Sequence, residues 1–235
     1  MGRVFEKRKY KMFARYDKMA KGFTRAGKEI AIAVKLGGAD PQGNARLRVA
    51  VQNAKGLNMP KDRIDAAIKR ASSKDESNLE EVVYEGKAAH GIGILIECAT
   101  DNPTRTVANV RMNFNRHHGE LGKTGSLDYL FERKGVFKLK NENINLEELE
   151  FEMIDYGAEE IESDEEEIVI YTAFTDFGKM QKALEAKKLN IISSELERIP
   201  TSTVELTDAQ VEEVMILVSK LEEDDDVQTV YHNMK

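Results

Sequence analysis

VFKLKNENINLEELEFEMIDYGAEEIESDEEEIVIYTAFTDFGKMQKALEAKKLNIISSELERI, residues 136–199, alternates between strand and helix patterns, and its order decides the fold. A strand over Val136–Leu139 precedes a helix over Leu146–Tyr156. Strands at Glu159–Ser163 and Glu167–Tyr171 lead to a second helix, Asp176–Lys187, and Ile191–Ile199 is the last strand. This β-α-β-β-α-β order is that of the split βαβ, or ferredoxin-like, sandwich.

The flanking segments predict a second such unit, interrupted by the first. Upstream, Val82–Tyr84 reads as a short strand and Gly93–Ala99 as a buried one. Thr104–Asn115 reads as a helix with Val107, Val110 and Phe114 inward, and Gly125–Phe131 as a strand with Leu127, Tyr129 and Phe131 alternating. Downstream of Pro200 come a strand at Thr203–Leu206, a helix over Asp208–Leu221 capped at Thr207 and Asp208, and a strand at Val227–Tyr231. Residues 81–133 and 201–235 are therefore expected to form one discontinuous α/β domain, with 134–200 inserted.

The amino-terminal part contains helix patterns only. Phe23, Gly27, Ile30 and Val34 recur at helical spacing up to Gly37-Gly38, and Asp40-Pro41 opens a helix carrying Leu47, Ala50, Val51 and Ala54. Pro60 opens a third with Ile64, Ala67, Ile68 and Ala71 inward, and 72–80 is a polar linker. The small inner residues bury little area. The expected class is α+β: an N-terminal all-helical domain over 1–80, then two ferredoxin-like α/β sandwich domains, one inserted in the other.

The chain has 235 residues, 41% hydrophobic and 33% charged, enough to bury ordinary cores. Its longest uncharged apolar run, Gly91–Ile96, is far short of the ~20 residues of a membrane helix. Arg3, Glu6, Lys7, Arg8 and Lys9 occupy the place of a signal peptide's apolar segment, so none is expected, and the single cysteine, Cys98, excludes an internal disulfide and a cysteine zinc cluster. A cytoplasmic protein without membrane partners is expected.

The net charge of −7 conceals a division. Residues 1–70 hold 18 Lys and Arg against 6 Asp and Glu, and residues 146–235 hold 7 against 25. A basic third on an acidic body predicts a polyanion-binding surface there, since local potential rather than total charge attracts a polyanion. Arg3, Lys7, Arg8, Lys9, Lys11, Arg15, Lys18, Lys21, Arg25 and Lys28 are the expected phosphate contacts, interleaved with Phe5, Tyr10, Phe13, Tyr16 and Phe23. For the aromatics, packing in a thin core is the competing account. Arg46, Arg48, Lys69 and Arg70 extend the same candidate face. No base-reading helix with a suitably spaced Asn or Gln is legible, so no site sequence follows.

Other chemistry is not supported. Gly119-Glu-Leu-Gly122-Lys123-Thr124 has His117 where a phosphate loop needs glycine, and it follows a helix instead of a strand. Adjacent His117 and His118 lack cysteine partners for a metal. Cys98 lies in the most apolar strand, as an inert thiol would. The acidic runs Glu165–Glu167 and Glu222–Asp226 read as solvated segments. No catalytic residue, metal ligand or cofactor is expected, and no enzymatic activity.

Several stretches, in order along nearly the whole chain, resemble the YebC/PmpR family. They include Leu36-Gly-Gly-Ala-Asp-Pro, Asn44-Ala-Arg-Leu-Arg, Asn58-Met-Pro-Lys-Asp-Arg-Ile, Tyr84-Glu-Gly and Glu97-Cys-Ala-Thr-Asp-Asn-Pro-Thr-Arg-Thr. Gly122-Lys-Thr-Gly-Ser-Leu, Tyr129-Leu-Phe-Glu-Arg-Lys-Gly and Glu222-Glu-Asp-Asp-Asp-Val-Gln-Thr-Val-Tyr complete the set. The resemblance implies a helical domain followed by two α/β domains and a DNA-binding transcriptional regulator without cofactor or catalysis. It also implies an alternative, a ribosome-associated translation factor binding ribosomal RNA, since mitochondrial relatives are translational activators and bacterial members are tied to the ribosome. Many members begin Gly-His-Ser-Lys-Trp, whereas this chain has Gly2-Arg3-Val4-Phe5-Glu6 and then Lys7-Arg8-Lys9. The partners expected are thus DNA or ribosomal RNA for the basic third, and a basic protein partner for the acidic domains.

Overall fold

A computed structural model describes residues 3–73, 79–142 and 144–235, with side chains of the first helix described from Met19 onward. The chain divides between Leu79 and Glu80 into two compact units. Among the described residues no helix is long and apolar enough to cross a membrane.

The first unit is helical: α1 Arg3–Gly37, α2 Ala45–Gly56 and α3 Lys61–Ala71. Its core joins Ile30, Ala33 and Val34 of α1 to Leu47, Ala50 and Ala54 of α2 and Ile64, Ala67 and Ala71 of α3. Asn44, almost fully buried, joins the first two helices. Its Nδ2 donates to the carbonyls of Ala33 (2.7 Å) and Gly38 (2.8 Å), and its Oδ1 accepts from the Leu47 N–H (3.1 Å). One side chain thereby satisfies carbonyls at the end of α1 and an N–H in the first turn of α2.

The second unit holds two four-stranded antiparallel sheets. Its elements are β1 Glu80–Lys87, β2 Gly93–Thr100, α4 Pro103–Arg116, β3 Glu120–Leu121, β4 Phe131–Lys140, α5 Leu146–Ile154, β5 Ala158–Ser163, β6 Glu167–Ala173, α6 Phe177–Ala186, β7 Ile191–Pro200, α7 Asp208–Glu222 and β8 Val227–His232. One sheet has the order β5-β6-β4-β7, the ferredoxin-like arrangement. Its core packs Phe137, Leu139, Ile168 and Ile170 against Leu149 and Met153 of α5 and Met180 and Leu184 of α6. The other sheet has the order β3-β1-β2-β8. Ile94, Ile96 and Cys98 of β2 face α4 and α7, whose Val110, Phe114, Leu217 and Leu221 close that core. Phe131 of β4 pairs with Pro200 of β7, so the chain enters and leaves the ferredoxin-like sheet at one place.

Three segments differ from the sequence expectation. The short strand at Val82–Tyr84 is the eight-residue β1, paired with β2 along its whole length. Residues Thr203–Leu206 form no strand, and Val204 makes one bridge, to Met234. Residues 125–130 are turns, and β4 begins at Phe131. Leu127 and Leu130 both turn inward, joined by a Leu130 N–H to Leu127 carbonyl bond, and Tyr129 is left 73% exposed. Leu127, Leu130 and Phe131 then cover Leu95 on the face of the sheet away from the helices. The cause is Glu85 of β1, 2% exposed, whose carboxylate accepts from the N–H groups of Gly125 (2.7 Å) and Leu127 (2.6 Å). Gly125 sits at φ +84°, a conformation costly to a residue with a Cβ.

Candidate nucleic-acid interface

Of the candidate phosphate contacts, the side chains of Arg3, Lys7, Arg8, Lys9, Lys11, Arg15 and Lys18 lie outside the described residues, as do the rings of Phe5, Tyr10, Phe13 and Tyr16. The seven others are described. Lys21, Arg25 and Lys28 follow one another at four- and three-residue spacing, so they form one stripe along α1, each half-buried. Lys69 and Arg70 are exposed in the last turn of α3, where cations meet the negative end of the helix dipole.

Arg46 and Arg48 are engaged within the unit. Arg46 donates from Nε to Glu29 Oε1 (3.0 Å) and from Nη2 to Oε2 (3.4 Å), a two-pronged pair that neutralises it. Arg48 Nη1 donates to the Pro41 carbonyl at 3.2 Å.

A cavity of about 480 Å³ opens between α1 and α3. Phe23, Gly27 and Ala31 of α1, Met59, and Ala66 and Ala67 of α3 give it an apolar lining, with Leu79 at one side. Lys28, Arg63 and Arg70 bring three cations to it, and the Arg63 guanidinium lies 5.8 Å from the Phe23 ring centroid. Small side chains at Ala20, Gly27, Ala31 and Ala66 leave this space unfilled. Phe23 both touches the helical core and lines the cavity, so packing and surface roles coincide in one ring. Arg63 was not among the sequence candidates. The signal that marks it is its position seven residues before Arg70, on the same face of α3.

In the second unit, the acidic run before β8 serves internal connections. Asp226, 6% exposed, accepts at Oδ2 from Thr100 Oγ1 (3.0 Å), Thr106 Oγ1 (2.9 Å) and Arg105 Nη2 (2.7 Å). The bonds that Arg105 donates to Asp226 and to Asp101 raise its pKa above the ordinary value. Asp224 accepts from the Asp226 N–H and from Asn109 Nδ2, and Asn102 caps α4 by accepting from the Arg105 N–H. The acidic run before β8 is therefore partly buried, and it ties β8 to the start of α4. His90 Nε2 lies 2.8 Å from Glu213 Oε2. Among the described residues no three His, Cys, Asp or Glu side chains are grouped to hold a metal ion.

Comparison with known proteins accounts for this arrangement. Residues 3–74 match the model of the TACO1/YebC protein N-terminal domain, and residues 79–234 match that of the TACO1/YebC second and third domain. The chain belongs to the TACO1/YebC family. Over 234 residues it is 61% identical to a Cytophaga hutchinsonii protein named "Probable transcriptional regulatory protein", covering 100% of this chain and 98% of that one. A Myxococcus xanthus protein of the same name is 52% identical over 239 residues, covering 100% of both chains. In fold, the chain is similar to the crystal structure of a conserved hypothetical protein from Aquifex aeolicus, with a TM-score of 0.81, 37% identity, and coverage of 92% of this chain and 90% of that one. The Glu85 turn and the Asp226 network bring together stretches through which the chain resembles the family. Tyr84-Glu-Gly meets Gly122-Lys-Thr-Gly-Ser-Leu, and Thr100–Thr106 meets Asp224–Asp226.

Proposed function

We propose that this chain is a nucleic-acid-binding regulator of gene expression that works by binding and not by catalysis. The names of its relatives support a regulatory role, and the reading assigned here is a DNA-binding transcriptional regulator of the cytoplasm. The observation that carries nucleic-acid binding is the collection of Lys28, Arg63 and Arg70 around one cavity in the basic third of the chain. The stripe Lys21, Arg25 and Lys28 continues along α1 toward the basic residues 3–18. Cations spaced along a helix suit the regular phosphates of a polynucleotide, and such contacts position a protein without reading sequence.

The apolar lining favours a second reading, an RNA-binding translation factor associated with the ribosome. A cavity lined in part by Phe23, Ala31 and Met59 suits an unpaired base, with the cations on its phosphates. Duplex DNA keeps its bases stacked and offers nothing to fill such a space.

The test is binding of the full chain to labelled duplex DNA and to a structured RNA with unpaired bases, across a range of salt concentrations. For either target, replacing Lys28, Arg63 and Arg70 by Ala is expected to flatten the slope of log K against log[salt] by about 2 to 3 units. An unchanged slope removes the cavity from the interface. Retention of RNA but not DNA at physiological salt selects the translation reading, and the converse selects transcription.

A further inference from the structure

Between Lys140 and Lys179 the chain carries 14 Asp and Glu and not one Lys or Arg. Helix α5 lies in this stretch. Its Leu149 and Met153 are buried in the ferredoxin-like sheet's core. On the opposite face Phe151 is 79% exposed and Ile154 64%, with Tyr156 just beyond at 38%. Single exposed apolar side chains are ordinary, but a phenylalanine and an isoleucine one helical turn apart form a patch.

The rim of the patch is acidic. Glu147 lies between Phe151 and Ile154 in helical position, with Glu148, Glu150 and Asp155 to either side. Other nearby acids are already bridged, Glu152 to Lys187, Glu142 to Lys140 and Glu159 to Lys134. Among the described residues no ion pair forms at Glu147, Glu148, Glu150 or Asp155. Besides Lys187 on Glu152, Lys179 approaches, donating to the Asp155 carbonyl and lying 6.0 Å from the Tyr156 ring centroid.

Charge selects the occupant. A nucleic acid or an anionic membrane surface is repelled by this rim. A second copy docked by the same face about a two-fold axis would oppose Glu147, Glu148, Glu150 and Asp155 to themselves. A protein segment rich in Lys and Arg, with apolar side chains between them, satisfies both rim and centre. We propose that the outer face of α5 docks such a segment, its apolar side chains on Phe151 and Ile154 and its cations on Glu147, Glu148, Glu150 and Asp155. This surface is separate from the one assigned to nucleic acid, and its test does not depend on that assignment.

The probe is a synthetic amphipathic Lys/Leu helix, titrated into the full chain at physiological salt. Oligolysine of equal charge and a Glu/Leu helix serve as controls. The Lys/Leu helix is expected to bind at least about tenfold more tightly than oligolysine, and Phe151→Ser with Ile154→Ser to remove that margin. Glu147→Gln with Glu148→Gln and Glu150→Gln is expected to weaken binding and flatten its salt dependence. Circular dichroism of these surface variants should match the parent. Equal binding of the Lys/Leu helix by parent and Ser variant overturns the proposal, as do equal binding of oligolysine, tighter binding of the Glu/Leu helix, or no binding. Self-association of the parent that the Ser variant abolishes also overturns it, by making the occupant a second copy.

Discussion

Replacing Glu85 by Gln changes one atom in a buried site, and the structure sets the consequence. The carboxylate is 2% exposed and accepts from two backbone N–H groups, Gly125 on Oε1 and Leu127 on Oε2, with Ser126 Oγ at 3.3 Å from Oε2. A glutamine has one acceptor oxygen, so whichever way the amide turns, its N–H2 faces a backbone N–H, that of buried Leu127 in one orientation and that of Gly125 in the other. Hydrogen bonds to a charged group are worth about 1.5–3 kcal/mol each, and an orphaned buried donor costs about 1–3 kcal/mol. Losing one bond while weakening the other amounts to about 2–4 kcal/mol for Glu85→Gln. Glu85→Ala loses both, about 3–5 kcal/mol. Urea denaturation monitored by circular dichroism reads the shift in midpoint at constant slope. A second readout is local. Lys123 sits in the turn that Glu85 holds, so tryptic cleavage after Lys123 should accelerate in the variant before the unit as a whole unfolds. A Gln variant within about 0.5 kcal/mol of the parent, with unchanged cleavage, would refute the claim that this carboxylate organises the turn.

Two further predictions concern other junctions. Asn44→Ala removes an N-cap acceptor and leaves the Ala33 and Gly38 carbonyls without its donor, so the helical unit should lose about 2–3 kcal/mol, measured by thermal or urea unfolding. His232 is pushed below its ordinary pKa by burial, and among the described residues its buried Nδ1 has no hydrogen-bond partner. The unfolded chain takes up a proton near pH 6.5 that the folded chain resists, so stability should fall as pH drops from about 6.5 toward the lower folded value. His232→Gln should reduce that fall in melting experiments at stepped pH, and an unchanged pH dependence would count against the burial effect.

Local pattern made much of this molecule legible. The order of elements over 136–199 follows from strand and helix periods, each written within a few neighbouring residues. The helix ends at Gly37 and the opening of α3 after Pro60 likewise depend on adjacent residues alone. The segment 125–131 shows where local pattern misleads. Leu127, Tyr129 and Phe131 alternate as a strand would, yet Leu127 and Leu130 turn inward together because a carboxylate 40 residues earlier collects the turn's N–H groups. The same applies to Asp224–Asp226. An acidic run reads as solvated surface, but Asp226 is held under the start of α4 by Thr100, Arg105 and Thr106, over 100 residues away.

The candidate interface divides in the same way. Composition by itself determined that the amino-terminal third is cationic, and spacing determined that Lys21, Arg25 and Lys28 share a stripe, because charge and helical period are properties of the chain alone. Only the packing of α1 against α2 and α3 decided which cations meet. It gave Arg46 to Glu29, and brought Arg63 and Arg70 with Lys28 to one cavity beside Phe23. Side chains on different helices become neighbours through the burial of the opposite, apolar faces, and that burial is a property of the folded molecule.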